Sequence, residues 1–308
     1  MKRISIFILA LVVLAISCGQ SADQVETEAP PADMPEEISQ PVEDILPTDT
    51  EAPAKAPSPS DTPDQVIEGQ IKPGMYIVGI DEDQIASGIY FGEGASCYWE
   101  RLSGLGGTFD EIIANAGPEG QFYVEIQETD VAFSIDRCTI TPLDNIPAPI
   151  EFEMPVEPGM YLIGRDIESG LYQGTGDSCY WERLSGLGGT FDDIIANDGP
   201  DGQFYVEVKD TDLAFTLTRC SMTQLDQISP PPEFLTHLEP GMYLVGRDIE
   251  AGLYQGSGED CYWERLKNVS GGFDGIIAND GPDGSFFVEI APNDFAFRIN
   301  HCSVDLVE

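Results

Sequence analysis

The hexapeptide Cys-Tyr-Trp-Glu-Arg-Leu begins at Cys97, Cys179 and Cys261, and it gathers most of the side chains in this chain that could do chemistry. A thiol can attack, bind metal or form a disulfide, a Glu can exchange a proton, and a Tyr-Trp pair can stack on a ligand. Six cysteines, Cys97, Cys138, Cys179, Cys220, Cys261 and Cys302, follow one another at a constant interval of 41 residues. Metal sites want close pairs such as C-x-x-C, and the chain has none. Six cysteines admit many connectivities, but the repeat gives each copy two of its own. The expected bridges are therefore Cys97–Cys138, Cys179–Cys220 and Cys261–Cys302, as suits an oxidising, exported location.

The aromatic pairs Tyr98-Trp99, Tyr180-Trp181 and Tyr262-Trp263 admit two readings. Each Trp lies two residues after a bridging cysteine, on the same face of a strand, where it would pack beside the disulfide as core. Alternatively, the Tyr-Trp pairs form a stacking platform for a sugar ring or peptide. Glu and Arg at 100–101, 182–183 and 264–265 point to opposite faces of a strand, so each should pair across to another strand. Asp110, Asp192 and Asp274 are candidates for the arginines, in surface pairs worth at most about 1 kcal/mol. Glu182 with Asp192 would be the carboxylate pair of a hydrolase. The turn NDGPDG carries Asp198 and Asp201, and again Asp280 and Asp283. These aspartates raise a weak Ca2+ possibility, but the spacing misses the EF-hand pattern and the composition is ordinary turn chemistry.

Other catalytic signatures are missing: no nucleophile elbow, no Walker loop and no dinucleotide fingerprint occur. The two histidines, His237 and His301, have no equivalents in the other copies. Fourteen basic residues against 55 acidic ones leave a net charge of -41, a field that repels nucleic acid and excludes it as a partner. No cofactor is expected, and the reading is non-enzymatic. A binding or envelope-structural role leads, with the carboxylate hydrolase and a calcium-stiffened spacer as alternatives. Repetition itself favours binding, because multivalency raises avidity without new contacts.

The elements that must carry these residues are strands. Phe122, Val124 and Ile126 alternate with Tyr123 and Glu125, and Val131, Phe133 and Ile135 alternate with Ala132 and Ser134, the pattern of two half-buried strands joined by a tight polar turn. The Phe-Asp-x-Ile-Ile-Ala-Asn segment reads as a strand or a single helical turn. The fold class is all-β: three tandem small disulfide-bonded sandwich or barrel domains, at 71–140, 156–222 and 238–304. With a period of 82 residues and private disulfides, they are expected as beads on a string, since solenoid repeats are shorter and share a core. Residues 19–70 hold nine prolines, thirteen acidic residues and one lysine, so residues 18–70 read as a disordered acidic tether.

Residues 1–17 read as a signal peptide, with Lys2 and Arg3 followed by an apolar run from Ile4 to Ile16. The segment Leu14-Ala15-Ile16-Ser17-Cys18 resembles the lipobox of bacterial lipoproteins. That resemblance implies cleavage before Cys18, an acyl chain such as palmitate on that cysteine, and anchoring at the extracytoplasmic face of a cell or outer membrane. Ala15 and Ser17 also suit ordinary cleavage into a secreted form. The pattern PGMYLVGRDIEAGLY, CYWERL, GIIANDGPDGSFFVEI and NDFAFRINHC resembles a group of bacterial extracytoplasmic β-domains. That likeness implies a secreted or lipid-anchored β-domain and implies no reaction; the binding role itself is expected to take a cell-envelope glycan or a protein as ligand.

Overall fold

In a computed structural model of the chain, residues 69–176 and 178–307 are described. The apolar start, Cys18 and almost all of the proline-rich segment lie outside them. The described residues form strands and single 3-10 turns, with no α-helix among them, and make three copies of one two-sheet unit. In the first copy, β1 (Gly74–Ile77), β2 (Gly88–Glu93), β3 (Tyr98–Leu102), β4 (Ile112–Ala116), β5 (Gln121–Ile126), β6 (Ala132–Asp136) and β7 (Thr139–Pro142) divide between two antiparallel sheets. One has the order β1-β6-β3-β4, the other β5-β2-β7.

The alternating residues of β5 and β6 point into the space between these sheets, where Phe122, Val124, Ile126, Phe133 and Ile135 form a core with Trp99, Cys97 and Cys138. The two strands are not a hairpin, as the alternation alone indicates; they belong to different sheets, and residues 127–131 form an arch between the sheets. A further strand, β7, follows the second cysteine, so the connector begins later than the spacing indicates. The turn into it places Arg137 at φ 63. The ambiguous Phe-Asp segment takes both forms: a 3-10 turn, Phe109–Glu111, leads straight into β4.

The copies are not beads on a string. The small sheet of the second copy and the large sheet of the third join into a single seven-stranded sheet through a parallel pairing of Gln203 with Gly241. Two apolar clusters straddle the junctions. Tyr123 of the first copy packs with Leu162, Leu184, Leu187 and Ala214 of the second. Tyr205 of the second packs with Met242, Leu244, Leu266 and Val269 of the third. Here β5 is buried on both faces, one against its own core and one against the next copy. The period of two is present, but its outward residues are covered as well. A 60-residue sandwich buries only about 60% of its surface by itself, and stacking removes more.

Candidate functional site

The structure pairs Cys97 with Cys138, Cys179 with Cys220 and Cys261 with Cys302, with Cα atoms 5.1, 5.2 and 5.3 Å apart. Each bridge ties the start of the β3-type strand to the turn after the β6-type strand. Beside it the Trp lies within the core, stacked on Phe133 at 6.2 Å in the first copy and on Phe215 at 6.0 Å in the second. Trp99 and Trp181 are each only 2% exposed, which leaves no indole face for a ligand. Trp263 is half-buried. A stacking platform built on these tryptophans is thereby excluded for the first two copies, because the next copy covers the ring edge. Gly189 lies against Trp99, and Gly271 lies against Trp181.

The arginines do not pair with Asp110, Asp192 or Asp274. Arg101 forks onto Asp130 with Nε and Nη2 at 2.8 Å each, Arg183 onto Asp212 at 2.7 Å each, and Arg265 onto Asp294 at 2.6 and 3.0 Å. These aspartates sit in the arch between the sheets, where Asp130 also accepts from Gln127 N–H. The pairs are buried in the first two copies, not surface pairs. The remaining arginine nitrogen reaches into the next copy: Arg101 Nη1 donates to Gly188 O at 2.7 Å, and Arg183 Nη1 to Ser270 O at 2.6 Å. Burial without a full set of partners would be costly for a guanidinium, and the following copy supplies the missing acceptor.

A second lock lies beside the first. Tyr123 O–H donates to Asp166 Oδ2 at 2.7 Å and accepts from Arg165 Nη1 at 2.9 Å; Tyr205 repeats this with Asp248 and Arg247 at 2.7 and 3.0 Å. Burial first, and then donation to the carboxylate, raise both phenols far above their ordinary range. The identical segment Ser96–Asp110 and Ser178–Asp192 therefore contains both halves of a joint. Its strand carries the Trp and Arg that receive the following copy, and its loop, Leu187-Gly188-Gly189 in the second copy, plugs into the preceding one. The 3-10 turn braces that loop: Gly106 and Thr108 donate N–H groups to Glu111, holding its carboxyl below the usual range.

Between the copies lie two equivalent grooves of about 500 and 540 Å3. Phe191, 92% exposed, borders both, and Phe273 stands at the equivalent place in the second. In the first groove Tyr180 O–H donates to Glu182 at 2.7 Å and accepts from Asn197 at the same distance. Burial before all else raises that phenol. Thr216 Oγ1 and the Trp99 indole N–H, also among its lining residues, have no protein hydrogen-bond partner. In the second groove Arg298 stands where the first has Thr216, and it forks onto Asp198 at 2.8 and 3.1 Å. The candidate calcium aspartates are not gathered. Asp198 serves that ion pair, Asp201 lies 3.7 Å from His301 and Asp280 accepts from Gly281 N–H. Among the described residues no group of three or more His, Cys, Asp or Glu is placed to hold a metal ion.

Sequence reasoning missed the stacking arginines, the Tyr–Asp lock and the exposed phenylalanines. A signal for the lock exists: Tyr123 and Tyr205 become Phe287 in the last copy, and Asp166 and Asp248 become Gln84 in the first. The partners change only on the faces that take no part in the two described junctions, that of the third copy at Phe287 and that of the first at Gln84. No curated protein and no solved structure matches the chain. A family model, the Rv1352-like extracellular domain, matches residues 65–140, 153–223 and 236–304. Three copies at the period of the cysteines cover most of the sequence, and the chain belongs to the Rv1352-like extracellular domain family.

Proposed function

We propose that this is a lipid-anchored extracytoplasmic repeat protein with a non-catalytic role, binding an uncharged glycan of the cell envelope along the grooves between its copies. The reading is carried by one observation: two equivalent grooves, one copy apart, each flanked by an exposed phenylalanine. A sugar ring has an apolar face that stacks on such a ring and hydroxyls that pair with Glu182, Asn115 and Thr216. A net charge of -41 disfavours anionic polymers, and the extracellular family supports an extracytoplasmic location. Anchoring rests on Cys18 and its preceding residues.

Two measurements test this. The full chain is applied to an array of soluble envelope glycans and peptides, alongside Phe191→Ser. Glycan binding weakened at least tenfold by the substitution supports the reading; binding to peptides alone, or glycan binding untouched by Phe191→Ser, overturns it. For the anchor, Cys18→Ser should move the protein from the membrane fraction to the medium, and unchanged fractionation would refute lipidation at that residue.

A further inference from the structure

The two ends of the stack are unfinished halves of the joint that holds it together. At the start, Leu105 is 58% exposed, whereas Leu187, at the same place in the second copy, is 2% exposed beneath the first copy. Met75 and Ile77 are likewise exposed where Met242 and Leu244 of the third copy are buried against the second. At the far end, Phe287 is 59% exposed where Tyr205 is 1% exposed. Arg265 keeps its fork on Asp294, but its Nη1 has no partner among the described residues. Trp263 keeps its place on the β3-type strand without a following glycine to cover it. Terminal repeats of a stack usually carry a polar outer face for solubility. These ends instead retain the apolar residues of the internal junctions.

The changes at the ends are matched. The last copy lacks the tyrosine hydroxyl, and the first lacks the aspartate that would receive it, having Gln84. A joint between the two ends would therefore bury neither an unpaired carboxylate nor an unpaired phenol. The loop offered at the start, Leu105-Gly106-Gly107, has the same residues as Leu187-Gly188-Gly189, whose glycine carbonyl accepts from Arg101 and whose last glycine lies against Trp99. Gly106 O stands ready for Arg265 in the same way.

We infer that the chain associates end to end with a second copy of itself: the first-copy face around Leu105, Met75 and Ile77 docks on the third-copy face around Phe287, Trp263 and Arg265. The contact is heterologous, so it adds copies in a row and does not close on itself as a two-fold dimer would. The occupant follows from continuity with the two junctions already present in the chain. Without the Tyr–Asp lock this joint is weaker than the internal ones. Mutual repulsion between acidic chains opposes it further, and salt should relieve that repulsion by shortening the screening length from about 10 Å at 0.1 M to about 3 Å at 1 M. This inference does not depend on the glycan reading, and its readout is mass, not ligand.

The test is analytical ultracentrifugation of the full chain carrying Cys18→Ser, at concentrations up to about 1 mM and at low and high salt. The average mass should rise with concentration, and more so at high salt. Leu105→Glu and Phe287→Glu lie on exposed positions at opposite ends, and each alone should weaken association at least tenfold. An equimolar mixture of the two variants retains one intact start and one intact end, and it should give a species of twice the monomer mass and nothing larger. A monomer at every concentration and salt overturns the proposal, as does a mixture that remains monomeric. If one substitution abolishes association and the other leaves it intact, a two-fold contact through a single face replaces the end-to-end joint.

Discussion

Replacing Tyr205 by Phe removes one oxygen from the centre of the second junction and nothing else, because the ring remains in place and no cavity opens. That oxygen donates to Asp248 at 2.7 Å and accepts from Arg247 at 3.0 Å. A hydrogen bond to an ionised group contributes about 1.5–3 kcal/mol. Asp248 keeps Leu244 N–H at 2.8 Å and Arg247 at 2.6 Å, so its carboxylate is not left unpaired. The loss should accordingly fall near the lower end, about 2 kcal/mol. The third copy supplies a built-in control. Phe287→Tyr adds the same oxygen at an exposed position outside both junctions, and it should change stability by less than about 0.5 kcal/mol. Urea unfolding with disulfides intact, followed by tryptophan fluorescence, reads both. Tyr205→Phe should also broaden the transition, because the third copy then unfolds partly by itself. A change below about 0.5 kcal/mol, or equal shifts for the two variants, would mean that the copies fold independently and that the junction carries no energy.

Three further outcomes follow from the same geometry. Gly271 and Gly107 both have positive φ, 80 and 73, so alanine costs each about 1–2 kcal/mol in backbone strain; only Gly271→Ala also collides with the Trp181 ring. It should lose at least about 1 kcal/mol more, and equal losses in urea titration would contradict the docking of that loop. Replacing Cys179 and Cys220 together by alanine opens a loop closed over a separation of 41, which the chain-entropy model values at about 4 kcal/mol; a midpoint unchanged in urea would refute this. Burial, followed by nearby Glu carboxylates, pushes Tyr161, Tyr172 and Tyr254 up to about 12. A raised folded value contributes stability that is complete below the unfolded value of about 10 and is lost as pH rises towards about 12. The urea midpoint should therefore stay flat from neutrality to about pH 10 and fall above it, and a midpoint as high at about pH 11 as at about pH 8 would count against buried phenols.

Much of a single copy was legible in the sequence. The cysteine interval indicated the bridges, and the alternation of Phe122, Val124 and Ile126 identified the strand and its inward face. Trp99, placed two residues after Cys97, was readable as core. The division of β5 and β6 between two sheets was not legible, because a short polar segment such as residues 127–131 can turn within a sheet or arch across to another. Local pattern fixes which side a residue faces, and says nothing about which sheet hydrogen-bonds the strand. The buried Arg101–Asp130 fork follows from that arch and was hidden for the same reason.

What the sequence alone determined is the unit: three copies, their strands, their inward residues and the net charge of -41. What only the tertiary structure decided is that the units stack. Tyr123 looks outward in a period-two reading, since it alternates with the inward Phe122 and Val124, and an outward residue meets either water or another surface according to where the next copy lies. Burial is a property of the assembled chain and not of the strand, so a residue that alternation assigns to solvent becomes, through its neighbour, part of a joint.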